Sequence, residues 1–326
     1  MKLIRKITKT YITMATSMSL AKNFSLKYAI YYYFSEIPLQ KIGLYKILRL
    51  CFKKKSQYIY SYIDENFREI IQEHKNKVIK KEFAERFNIW VFWAQGIDNA
   101  PDLVKICHKQ LNKLNRGNVI TLDMNNYFDY VTIPNHIITK VKDKKISLTH
   151  FSDILRVSLL AKYGGLWIDS TCFVTCNFET TIAPNSIWTL SSKVLPKKKG
   201  VAMARWTSYF IGTDSVNNTL FTLIRDIFYK YFETNNQIID YLFLDYIINY
   251  IYENFTEVQS MIGSGAINGD RRLTMKGIIA KEYNEDIFNE LISDTKVFKL
   301  SYRWRLIEKN SLGKQTTYGK LKELYI

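Results

Sequence analysis

The chain has 326 residues, 47% of them apolar and 15% aromatic, and carries a formal charge of +17. That length and apolar content suffice for a packed core, which excludes a disordered or fibrous chain. No apolar run reaches the roughly eighteen residues that a membrane-spanning helix requires. The charge is concentrated, because residues 1–55 hold twelve Lys/Arg against the single acid Glu36. Such a surplus favours polyanions: nucleic acid, anionic lipid headgroups or a diphosphate. A lysine-rich composition with no partner in mind accounts for it equally well.

In chain order, residues 1–86 read as a basic helical arm. Leu44, Ile47, Leu48 and Cys51 recur at three- and four-residue spacing, and "DENFREIIQEHKNKVIKKEFAERF" continues the habit. The N-terminal apolar stretch is broken by Lys22, Asn23 and Lys27 before a signal-peptide core develops. Cys51, Cys107, Cys172 and Cys176 form neither a CxxC pair nor a zinc spacing, which fits free thiols in a reduced compartment. The expectation is a cytoplasmic protein, peripheral on the inner face of the plasma membrane.

From residue 87 to 326 the pattern becomes α/β. "NIWVFWAQG" is a continuous β-favouring run suited to a strand buried on both faces, Pro101 opens a helix through Leu114, and "NVITLD" is a second strand. A long helix from about Ser152, with Ser152 as N-cap, leads into the strand "LWI". Strand, helix, strand, helix, strand implies right-handed crossovers and a mainly parallel sheet. Ligands collect beyond the carboxyl ends of such strands, where Gln95, Asp123 and Asp169 fall. Two amphipathic helices follow, in "NTLFTLIRDIFYKYFETN" and "IIDYLFLDYIINYIYENF". After them come a glycine-rich turn, "GSGAINGD", and a short β-like piece, "TKVFKLSYRW".

The chemistry concentrates in "SDILRVSLLAKYGGLWIDST". Asp153 and Arg156 lie three apart on one helical face, Gly164 and Gly165 allow a left-handed helix exit, and Asp169 emerges at the mouth of the strand. A carboxylate placed there can hold a divalent cation, and the cation a diphosphate leaving group. The plainer account is a surface ion pair and a strand-ending turn. Lys299, Tyr302, Arg303 and Trp304 offer cations that can close over a diphosphate, or an ordinary basic strand end. His74, His108, His136 and His150 are scattered; His150 precedes the Ser-Asp motif, with a structural role as the simpler account. Asp240 and Asp245, five apart on an expected helix, point about 140° apart and do not form a close pair.

The run S-D-x-x-R followed by Y-G-G-x-W-x-D resembles the donor-site signature of the bacterial capsular polysaccharide synthesis glycosyltransferases, relatives of the "DXD" enzymes with a GT-A fold. "NIWVFWAQG", Pro101, "FIG" at 210–212 and "IIDYLFLDYII" resemble that family's order of elements, over about residues 86–305. The resemblance implies a GT-A-like, Rossmann-like mainly parallel sheet flanked by helices, with a helical N-terminal extension. It implies transfer of a sugar from a nucleotide-sugar donor, UDP-hexose, to a capsular or other surface glycan, lipid-linked and with retention of configuration. Mn2+ or Mg2+ would assist.

Carried over by position, Trp93 would line the nucleotide pocket, and Asp153, Arg156, Gly165 and Lys299 would belong to the donor site. Asp169 would be the first metal carboxylate. Asp245 would be the acceptor-side catalytic carboxylate, with Asp153 beside it. The usual second Asp is Thr171 here, a weaker, uncharged ligand. Two other readings stay open: a non-catalytic GT-A-like assembly subunit, motivated by Thr171, and a basic nucleic-acid-binding protein. Against the second, no helix-turn-helix, finger or RNA-binding signature is present, and the expectation is a protein with no nucleic-acid partner.

Overall fold

The computed structural model describes residues 2–39, 43–76, 82–194 and 200–326. Three helices come first, α1 (Lys2–Asn23), α2 (Leu26–Glu36) and α3 (Tyr45–Asn76). The expected continuation of the last helix over 77–81 lies outside the described residues. The α/β part begins with β1 (Glu82–Phe83), β2 (Ile89–Phe92), α4 (Asp102–Leu114), β3 (Val119–Leu122), α5 (Asn135–Lys142), α6 (Leu148–Tyr163) and β4 (Gly165–Ile168). It continues through β5 (Cys172–Val174), β6 (Ile187–Ser191), β7 (Phe210–Thr213), β8 (Ser215–Val216), α7 (Thr219–Thr234), α8 (Phe243–Asn254) and α9 (Thr256–Ser264). The last elements are β9 (Ala266–Asn268), α10 (Glu285–Asp294), β10 (Val297–Lys299) and α11 (Thr317–Tyr325).

The central sheet has the order β3-β2-β4-β7-β6-β9. Its pairs are parallel except where β7 meets β4 and β6, so five strands run one way and β7 alone runs against them. This is the mainly parallel sheet that the alternation of strands and helices implies, with one reversed strand in its middle. Strand periodicity sorts the side chains: Trp90, Phe92 and Trp167 face one core together with α6, α7 and α8, while Ile89, Val91, Leu166 and Ile168 face the other. Burial of both faces explains why these strands read as unbroken apolar runs.

Several boundaries differ from expectation. Helix α6 starts at Leu148 rather than near Ser152, because Ser147 is the N-cap and its hydroxyl accepts from the His150 amide. Ser152 sits inside the helix and donates to the Thr149 carbonyl. The segment "IIDYL" does not belong to the expected helix, since α8 starts at Phe243 and Asp240 precedes it. The glycine-rich turn contains an edge strand, β9, that pairs with β6.

The three N-terminal helices share the larger core, contributing Leu20, Tyr28, Ile59, Ile63 and Phe67 to it. A buried ion cluster reinforces the contact, with the Lys55 ammonium 2.9 Å from Asp240 and 3.2 Å from Glu36. The Tyr28 hydroxyl donates to the Ile239 carbonyl at 2.7 Å.

Candidate active site

From β2 the chain crosses to β3 on one side, and after β4 it proceeds towards β7 and β6 on the other. The carboxyl ends of β2 and β4 therefore flank a topological switch point, where open α/β sheets leave a crevice. Trp93 follows β2 and Asp169 follows β4, at the carboxyl ends of these neighbouring strands.

Asp169 is the hub. Its Oδ1 accepts from Arg156 Nη2 at 3.2 Å and from the Trp167 indole at 2.9 Å, and its Oδ2 accepts from Lys299 Nζ at 2.6 Å. Each partner arrives by a separate route. Trp167 lies two residues back on the same strand and so on the same face. Arg156 comes from α6 and stacks over the Trp167 ring at 4.9 Å. Lys299 is delivered by the antiparallel pairing of β10 with β5, which sets Lys299 opposite Cys172. Burial tends to raise the Asp169 carboxyl, but Lys299 and Arg156 outweigh it and hold the group below the usual carboxylate range.

Asp153 lies beneath this cluster, its side chain 14% exposed, 3.0 Å from Arg156 Nη1. Burial pushes its carboxyl up to about 7, with Arg156 opposing and the charges of Asp169 and Asp245 adding to the rise. Asp245, in the first turn of α8, accepts from the Trp206 indole at 2.9 Å, and burial raises its carboxyl too. The structure thus gathers Asp153, Arg156, Asp169, Asp245 and Lys299 into one charged neighbourhood.

Several buried polar atoms here lack a hydrogen-bond partner: Trp93 Nε1, His150 Nε2, and Arg156 Nε and Nη1, the last ion-paired with Asp153 without hydrogen-bond alignment. Buried polar groups are ordinarily satisfied, and four such atoms on three neighbouring residues are open to a polar partner here. Trp93 packs edge-on against Tyr302 at 5.7 Å, and His150 against Tyr241 at 5.6 Å. The Tyr241 hydroxyl feels the charges of Asp153, Asp169, Arg303 and Lys299, although burial is the main cause of its raised pKa.

Gly165 is placed elsewhere. It stands at the amino end of β4, the far end from Asp169, where a Cβ would lie 2.4 Å from the Asn88 carbonyl. The structure gives it a packing role rather than a position in the crevice. Asp123 folds into its own turn, accepting from the Asn125 amide. Trp304 lies near Lys276.

Sequence reasoning missed Trp167, Trp206 and Tyr241. The i, i+2 spacing of Trp167 and Asp169 carried a signal, since alternate strand residues share a face. The contact of Trp206 with Asp245, across 39 residues, had none.

A divalent ion was expected on Asp169 and Thr171. The donor set does not fit one: both Asp169 oxygens already accept from cations, and Thr171 adds a neutral hydroxyl while its carbonyl accepts from Leu300. Among the described residues no group of three His, Cys, Asp or Glu is arranged to hold a metal.

The fold is thus a mainly parallel sheet with one reversed strand, and a charged cluster stands at its switch point. The chain belongs to the capsular polysaccharide synthesis protein family, whose model matches residues 40–321. Among solved structures it is similar to the PaToxG glycosyltransferase, at 15% identity and a TM-score of 0.38, covering 82% of this chain and 96% of that one. It is also similar to the galactosyltransferase LgtC, solved in complex with donor and acceptor sugar analogues. There the identity is 11% and the TM-score 0.32, covering 73% of this chain and 95% of that one. Both likenesses are loose and carry no inference about the site. No curated protein matches the chain.

Proposed function

We propose that the crevice between Trp93 and Asp169 binds a nucleotide diphosphate-sugar, of the UDP-hexose kind, and transfers its sugar with retention to a lipid-linked capsular glycan. The observation that carries this reading is the set of buried, partnerless donors on Trp93 and Arg156 beside the Asp169 cluster. The Trp93 ring offers the base an apolar surface. Arg156 and Lys299, held by Asp169, turn toward the diphosphate and receive its charge as the bond from the anomeric carbon to phosphate oxygen breaks. The acceptor oxygen forms the new bond to that carbon on the face from which the diphosphate leaves, so that configuration is kept, and its proton passes to the Asp245 carboxylate. Asp153, titrating near neutrality, balances the charge of Arg156 as the diphosphate departs.

The test is a panel of nucleotide-sugars incubated with purified protein, with and without manganese. At least one is hydrolysed slowly, and Asp169→Ala lowers that rate by about 10²–10³-fold while circular dichroism stays unchanged. Inertness across the panel, or an unaltered variant, would overturn the catalytic reading. Nucleotide binding without turnover would instead favour the non-catalytic assembly role that Thr171 suggests.

The division into an arm of residues 1–86 and a body of residues 87–326 enters this reading as a division of labour, the arm docking on the anionic inner face of the plasma membrane. Among the described residues no helix is long and apolar enough to cross a membrane. Lysines near an anionic surface contribute about 1 kcal/mol each. Replacing the exposed Lys22, Lys27, Lys46 and Lys54 with Gln reduces flotation with phosphatidylglycerol vesicles. Equal flotation would remove the docking idea.

A further inference from the structure

A second cavity, of about 1010 Å³, opens between α2, α3 and the turn at 200–205. Two elements run from its wall to the Asp245 side chain. Asn249, on its wall, stands one helical turn beyond Asp245 on α8. Arg205, also on its wall, immediately precedes Trp206, whose indole holds Asp245.

The lining is largely hydrocarbon, with Leu48 and Phe52 from α3 facing Val201 and Met203 across the space. The polar groups at its inner end are already spent on one another. Arg205 bonds Glu253 at 2.9 Å and also reaches Asn249, whose amide in turn donates to the Tyr60 hydroxyl at 2.7 Å. A sugar or a nucleotide would find few free hydrogen-bonding partners there. Two cations are different: Arg49 and Lys53 lie one turn apart on α3, both on the cavity wall, and neither has a carboxylate partner among the described residues. At the rim, Tyr45 and Leu50 are 58% and 54% exposed, a wet apolar edge beside these cations. Met203 and Ala204 adopt left-handed backbone, with φ of 46° and 65°. Non-glycine residues take that conformation at an energetic cost, which the surrounding packing must hold.

A hydrocarbon channel with an unpaired cation pair fits one chemical class, a long chain ending in a phosphate. The geometry points to this cavity as the seat of the acceptor's lipid, with its chain along Leu48, Phe52, Val201 and Met203 and its phosphate on Arg49 and Lys53. This rests on the reading that the acceptor is lipid-linked, and it assigns that lipid a place in the fold.

The full chain is titrated with farnesyl phosphate, farnesol and inorganic phosphate, and binding is followed by calorimetry. Farnesyl phosphate saturates at least about tenfold more tightly than farnesol, a difference of about 1.4 kcal/mol, and inorganic phosphate does not saturate. The double variant Arg49→Gln/Lys53→Gln, both exposed positions, weakens farnesyl phosphate about tenfold and leaves farnesol unchanged, whereas Leu48→Gln weakens both. Absence of saturable farnesyl phosphate binding would overturn the assignment. So would inorganic phosphate that binds as well, or wild-type affinity in both variants. Donor hydrolysis without lipid-phosphate binding removes the groove and leaves the catalytic reading standing. Lipid-phosphate binding without hydrolysis does the reverse.

Discussion

The crevice and the joint between α3 and the segment before α8 each bury a lysine against an aspartate, and they differ in what is left over. At the joint, Lys55 meets Asp240 and Glu36, Asp240 also caps the Leu242 amide, and both Lys55 and Asp240 are 3% exposed. There the cation's main partners are supplied by the chain. In the crevice, Lys299 and Asp169 are 23% and 30% exposed, and Arg156 and Trp93 keep buried donors without partners. Ion pairs alone do not distinguish a weld from a site. In the crevice unsatisfied donors stand beside a half-open ion pair, and at the joint the corresponding groups are paired by the chain.

The weld is the more sensitive of the two to substitution. Lys55→Met leaves Asp240 buried without its cation and lowers stability by about 3–5 kcal/mol, read as a shift in the urea midpoint. The Lys55→Met/Asp240→Leu double variant recovers most of that loss. A single variant costing under about 1 kcal/mol would show that the joint is not held by its charges.

A somewhat smaller effect is expected from pH. The native state holds the Asp153 proton up to about pH 7, whereas the unfolded chain releases it near pH 4. Protonation therefore favours the fold below that range, and stability declines as pH rises from about 4 to 7, by roughly 2–4 kcal/mol from this group. Asp153→Asn removes that slope from the difference between variant and wild type. An unchanged slope would mean that Asp153 is ionised throughout, like Asp169.

The smallest effect sharpens the contrast from the crevice side. Trp93→Phe removes a donor that no protein atom accepts from, so stability changes by less than about 0.5 kcal/mol. Nucleotide-sugar affinity falls by about 1 kcal/mol, or roughly fivefold, as read by calorimetry. A loss of stability with unchanged affinity would make Trp93 a core residue.

What the sequence determined by itself was local. The unbroken apolar runs of β2 and β4, Pro101 before α4, and the pair of glycines before "LWI" each encode their element within a few residues. The spacing from Asp153 to Arg156 and the position of Asp169 at a strand end followed from the same patterns. The tertiary structure alone decided which distant groups meet. Strand β5 pairs with β10 across more than a hundred residues, bringing Lys299 to Asp169. Strand β9 hides in a glycine-rich stretch because an edge strand needs no apolar alternation once β6 supplies its partner. Lys55 finds Asp240 across 185 positions. Periodicity reports the environment of a residue's own face, but a contact between two faces depends on how the layers dock, and nothing in either short segment records that.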